Sequence, residues 1–112
     1  MFFRLKSKTV IKKIINSGSF LKGNVLSVKY IKGGSEALQI AIVVPKKSMP
    51  SAVNRNLIRR RIKHSLYQDS SLIKKDFPLG LYLLIYTSSK VLPYLKIKNA
   101  VVTVFSKIPL NT

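Results

Sequence analysis

Apolar residues at Val10, Ile11, Ile14 and Ile15 fall on one face of a helix, and Lys6, Lys8, Lys12 and Lys13 occupy the rest of its surface. Ser7 stands where an N-cap belongs, and Gly18 where such a helix stops. Ser19 to Lys22 has the length of a short strand. Val25 to Lys32 follows as a longer one, in which Leu26, Val28 and Tyr30 alternate with Ser27 and Lys29. The turn residues Gly33, Gly34 and Ser35 predict a hairpin into Leu38 to Val44, a nearly all-apolar run that fits a strand covered on both faces and ends at Pro45.

The basic loop Lys46 to Pro50 leads to Ser51, a second N-cap, and to a helix over Ser51 to Tyr67 with Ile58, Ile62 and Leu66 on one apolar stripe. The polar stretch Gln68 to Asp76 then unwinds, Pro78 and Gly80 break the chain, and Leu81 to Tyr86 makes a last strand. Tyr94 to Lys107, with Leu95, Val102 and Phe105 among its apolar positions, fits a closing helix; its Val and Ile content leaves a strand open. This order predicts one α+β or α/β layer domain over residues 1–112.

Charge turns that fold prediction toward a partner. The helix over Ser51 to Tyr67 holds Arg55, Arg59, Arg60, Arg61 and Lys63 and no carboxylate, so nothing within it offsets the repulsion among its cations. Lys and Arg number 21 against three acids, a formal net charge of +18 on 112 residues. Lysine excess can serve solubility alone, but a surplus of this size selects a polyanion, and a phosphate backbone is the commonest one. With 46% apolar residues the chain builds a core and is no basic tail. The longest apolar run, Leu81 to Tyr86, is far short of the ~20 residues of a spanning helix. Met1 to Lys8 does not read as a secretory signal, so the expectation is a cytoplasmic protein without a membrane partner.

The same composition leaves little room for chemistry by the protein itself. There is no cysteine, which removes disulfides, thiolate metal sites and cysteine nucleophiles. The carboxylates Glu36, Asp69 and Asp76 are scattered over segments that read as loops or helix ends, and no pair of them is suggested. His64 is the one imidazole, and it follows Lys63. A general base there would lack an acid partner. No catalytic residue and no metal ligand is therefore predicted in this chain.

Three segments together resemble the protein subunit of bacterial ribonuclease P. They are Arg4-Leu5-Lys6 with the first helix to Gly18, the strand Leu38 to Val44 with Lys46-Lys47, and above all Ala52-Val53-Asn54-Arg55-Asn56-Leu57-Ile58-Arg59-Arg60-Arg61-Ile62-Lys63. The last is similar to the family's Ala-Val-x-Arg-Asn-Arg-x-Lys-Arg-x-x-Arg pattern, which Arg55, Asn56, Arg59, Arg60 and Lys63 match in identity or charge. Leu57 departs from it where the family has a second arginine. Leu57 falls away from the apolar stripe and is expected to be exposed, with Arg61 about 40° further round the helix. Ile11 and Ile15 stand where the family tends to carry aromatic residues on the first helix.

The resemblance implies an αβββαβα fold in the α+β class, a two-layer sandwich with a single four-stranded mixed sheet. It implies a ribonucleoprotein endonuclease that removes 5′ leaders from precursor tRNA, whose RNA subunit carries the active site and, with the substrate, holds Mg2+. Lys46, Lys47, Arg55, Asn56, Arg59, Arg60, Arg61 and Lys63 would bind the RNA subunit, one protein to each RNA. The cleft between the first helix and the sheet, with Lys6, Ile11, Lys12, Ile15, Lys29 and Tyr30, would hold the single-stranded leader of precursor tRNA.

Two other classes share part of this pattern. A structural RNA-binding protein of the small ribosomal kind would have the same charge and size but no effect on precursor cleavage. A DNA-binding helix-turn-helix would read a major groove with Asn56, Arg59 and Arg60, but the basic helix is flanked by strands and lacks a preceding helix to cross the backbone. DNA is therefore not the expected partner.

Overall fold

The alternation of side chains along one strand, Gly80–Tyr86, organises the structure. This computed structural model describes residues 3–4, 8–32, 38–68 and 80–107. Strands β1 (Phe3–Arg4), β2 (Ser19–Leu21), β3 (Leu26–Lys32), β4 (Leu38–Val43) and β5 (Gly80–Tyr86) form one mixed sheet in the order β1-β4-β5-β3-β2. Helices α1 (Lys8–Ser17), α2 (Ala52–Gln68) and α3 (Tyr94–Ser106) complete the described elements. Tyr82, Leu84 and Tyr86 point to one face of the sheet and join Leu26, Val28, Ile40, Ile58, Ile62, Leu66, Ile97, Val101 and Val104 in a core under α2 and α3. Leu81 and Leu83 point the other way, with Ala41, and Ile14 of α1 closes over them.

The expected αβββαβα order holds, with the two-residue β1 as an addition that pairs in parallel with β4 at the edge. Two expectations are corrected. The sheet is covered on both faces, by α1 on one and by α2 and α3 on the other, so there are three layers where two were expected. Strands β3 and β4 do not form a hairpin. β5 lies between them, antiparallel to β3 and parallel to β4. Gly33, Gly34 and Ser35, with Ser7, Glu36, Asp69, Asp76 and Pro78, lie outside the described residues.

Local chemistry explains the element ends. The Asn54 amide donates to Ser51 Oγ (3.3 Å), so Ser51 caps α2 as its hydroxyl predicts. The Gly18 amide donates to the Ile14 carbonyl (2.7 Å) at the end of α1. A Cβ at Gly18 would meet that oxygen at 2.5 Å, so only glycine allows the tight passage into β2. Residues 94–106 are helical, because Ile97, Val101, Val104 and Phe105 recur at helical spacing and are all buried.

Candidate nucleic-acid interface

Helix α2 sorts its side chains by angle. Ile58, Ile62 and Leu66 are buried on the sheet, Ser65 is buried beside them with its hydroxyl on the Ile62 carbonyl (2.7 Å), and Asn56, Arg60, Lys63 and His64 are exposed on the opposite arc. Arg59 is half-buried at one margin, and its guanidinium donates to Asn56 Oδ1 (3.0 Å), which aligns the two polar groups along the helix. Arg61 lies at the other margin and donates to the Leu92 carbonyl (2.5 Å), tying α2 to the residues ahead of α3. The His64 ring sits 5.2 Å from that of Tyr94 on the same side. Leu57 is half-buried, against the expectation of exposure.

Arg55 is the clearest correction among the proposed RNA contacts. It is only 9% exposed, and its guanidinium donates to the carbonyls of Met49 (3.0 Å) and Pro50 (2.6 Å). Three residues before Ile58, it continues the buried stripe, so its charge holds the loop entering α2 and is turned away from solvent. Lys46 and Lys47 are exposed in that loop, in a turn closed by the Met49 amide on the Pro45 carbonyl (3.0 Å).

On the other face of the sheet, α1 packs over β3 and β5. Ile14 is fully buried, Ile11 is half-buried, and Ile15 is 47% exposed, so Ile15 belongs to the surface and not to the core. Lys12 is exposed on the same flank, as is Lys8, which sequence reasoning left out of the site. Lys29 on β3 donates from Nζ to the Ile15 carbonyl (2.8 Å), placing its charge on the unsatisfied C-terminal end of α1. Lys6 lies outside the described residues.

Tyr30 does not line this cleft. It neighbours Lys29 in sequence, so the strand period turns it to the α2 and α3 face, where it is 8% exposed and stacks on Tyr82 with ring centroids 5.7 Å apart. An aromatic does stand beside Lys29 on the α1 face, one that the sequence alone did not single out. Phe20 on β2 pairs directly with Lys29, is 51% exposed, and has the Lys29 ammonium 6.0 Å from its ring centroid. The tight turn at Gly18 brings Phe20 close to the end of α1, where Lys29 reaches the backbone of Ile15. The signal was available in the register of β2 and β3: Ser19 opposite Tyr30 puts Phe20 opposite Lys29.

The molecule therefore carries two cationic surfaces on opposite sides of one sheet, and one of them has exposed apolar and aromatic groups beside its lysines. The sequence matches the family profile described as Ribonuclease P over residues 2–108. The chain belongs to the bacterial ribonuclease P protein family. It is the protein subunit of that ribonuclease, which processes the 5′ leader of precursor tRNA.

The fold agrees with solved ribonuclease P proteins. The Staphylococcus aureus protein superposes with a TM-score of 0.77 at 21% identity, covering 95% of this chain and 94% of that one. The Thermotoga maritima protein gives 0.78 at 18% identity, covering 95% and 97%. At these identities the likeness concerns the fold alone. A comparison with curated protein sequences gave no match. Among the described residues no three His, Cys, Asp or Glu side chains gather as metal ligands would, and no described helix is long and apolar enough to cross a membrane.

Proposed function

We propose that this ribonuclease P subunit grips its RNA subunit with the exposed arc of α2 and holds the single-stranded leader at the end of α1. The observation that carries the reading is the arc itself: Asn56, Arg60 and Lys63 exposed, with Arg59 aligned on Asn56, and no acid anywhere in the helix. Lys46 and Lys47 extend it. Arg61 contributes whatever donors remain free of the Leu92 carbonyl, and Arg55 is left out of the RNA contact because its donors are engaged inside the fold. On the other face Ile11, Ile15 and Phe20 offer apolar and stacking surface to unpaired bases, and Lys8, Lys12 and Lys29 neutralise the phosphates between them.

Mg2+ is held by the RNA subunit and substrate in this reading, and supplies the activated water there. The protein's own residues bind, orient and screen. One copy acts on each RNA as a single domain in the cytoplasm. The experiment is precursor cleavage at low Mg2+ with and without the protein. The protein alone leaves the precursor intact, and its addition raises cleavage by the cognate RNA subunit because its cations replace counterions that screen RNA–RNA repulsion. Metal-dependent cleavage by the protein alone refutes the division of labour. Absence of any stimulation refutes the screening role of the protein's cations.

A further inference from the structure

A groove at the edge of the sheet farthest from β1, on the face that carries α2 and α3, belongs to neither surface described so far. It encloses about 480 Å³ between α3 and the loop joining β2 to β3. Its floor is apolar, from Val25, Leu26, Ala100 and Val104, and its rim carries Lys22, Lys96 and Lys107. The rim is built by helix geometry: Lys96, Asn99, Thr103 and Lys107 fall within about 80° of one another around α3, beside the buried Ile97, Val101 and Val104. The opposing loop is held in place. Gly23 donates its amide to Ser27 Oγ (3.4 Å), and a Cβ there would meet the Leu26 carbonyl oxygen at 2.1 Å. Thr87 donates from its amide (2.8 Å) and its hydroxyl (3.0 Å) to the Val25 carbonyl.

We infer that this groove is a second docking site for the RNA subunit, taking a nucleotide segment distinct from the one on α2. The volume falls within the roughly 300–1,000 Å³ of small-ligand pockets, which suits a nucleotide unit. The lining has three ammonium groups for phosphates, the amides of Asn24 and Asn99 for base edges, an apolar floor for a base face, and no carboxylate. The leader is excluded as occupant, because α1 and its cleft lie across the sheet. The RNA subunit is selected because α3 packs directly against α2, so the groove continues the layer on which α2 presents its cations.

The inference rests on the reading that α2 binds the RNA subunit, and the test separates the two. Protein carrying Lys22→Gln, Lys96→Gln and Lys107→Gln together is titrated against transcribed ribonuclease P RNA over a salt series. The three side chains are exposed, so the variant keeps its fold. The slope of log affinity against log salt should fall by about one unit per lost contact, roughly two to three in all. Because the chain has no cysteine, Asn99→Cys gives a unique attachment point for a photo-crosslinker, which should mark nucleotides of the RNA subunit. An unchanged slope in the triple variant, or crosslinking confined to precursor tRNA, overturns the inference. Arg60→Ala with Lys63→Ala is the companion. If that pair flattens the slope and the groove variant does not, the groove alone fails; if neither moves it, the α2 reading falls as well.

Discussion

Replacing Phe20 tests the leader surface where the structure departs most from expectation. Phe20→Leu keeps an apolar side chain on β2 and removes the ring, and with it the stacking platform and the Lys29 contact. Because the side chain is half exposed, its own burial is worth roughly half of the ~1.5–3 kcal/mol of a fully buried one, and Leu retains most of that. The cation–π contact at an exposed site adds about 0.5–1 kcal/mol. Folding stability should therefore drop by about 1 kcal/mol or less, a shift of roughly 4–8 °C at most for a domain of this size. One base stacked on an aromatic is worth ~1–3 kcal/mol, about 5- to 150-fold in affinity. The assay is the ratio of affinities of the assembled holoenzyme for leader-bearing precursor and for mature tRNA. The ratio should fall by that factor, with affinity for mature tRNA unchanged. A ratio equal to wild type, in a variant that melts normally, would show that Phe20 stacks on no leader base and would refute the argument from exposure and register.

Arg55→Ala should leave the Met49 and Pro50 carbonyls without their donor and cost about 2–4 kcal/mol in urea unfolding, with the salt slope of RNA binding unchanged. A stable variant with a flattened slope would mean that Arg55 contacts RNA after all. Burial, and to a lesser degree the neighbouring Tyr30 phenol, push the Tyr82 phenol up to about 12 from its ordinary value near 10. The unfolded chain therefore releases this proton first, so the contribution of Tyr82 to stability is level below pH 10 and falls by at most roughly 3 kcal/mol as pH rises from 10 to 12. Ultraviolet phenolate titration of the folded protein should show a late-titrating component that is lost in Tyr82→Phe; a titration curve unchanged by that substitution would refute the burial argument.

Much of the fold was legible because it is local. The period of Ile58, Ile62 and Leu66 and the hydroxyl of Ser51 define α2 to within a residue, and the alternation through Leu26, Val28 and Tyr30 finds β3. What failed was non-local. The Gly33-Gly34-Ser35 signal argues for a hairpin, but nothing in residues 26–43 shows that β5 will insert between the two strands. Tyr30 and Lys29 cannot share one surface, because the alternation along β3 that places Tyr30 with Leu26 and Val28 turns Lys29 to the other face. Arg55 was misjudged because a basic residue was read by its charge, although its position three before Ile58 lies on the buried stripe. Phe20 was overlooked because its surroundings form only when β2 lies against β3 behind the turn at Gly18.

The central place of β5 also governs how the chain assembles. Before residues 80–86 are available, the sheet exists only as two separate ribbons, β2 with β3 and β1 with β4, each below the size that is stable by itself. During synthesis the basic helix emerges first, and its Ile58, Ile62 and Leu66 have no complete floor until β5 joins the ribbons. Folding is thus committed late, through contacts of long sequence separation. In that interval the chain is a strongly cationic, partly open polymer, and an RNA bound early would screen its self-repulsion while the last strand arrives.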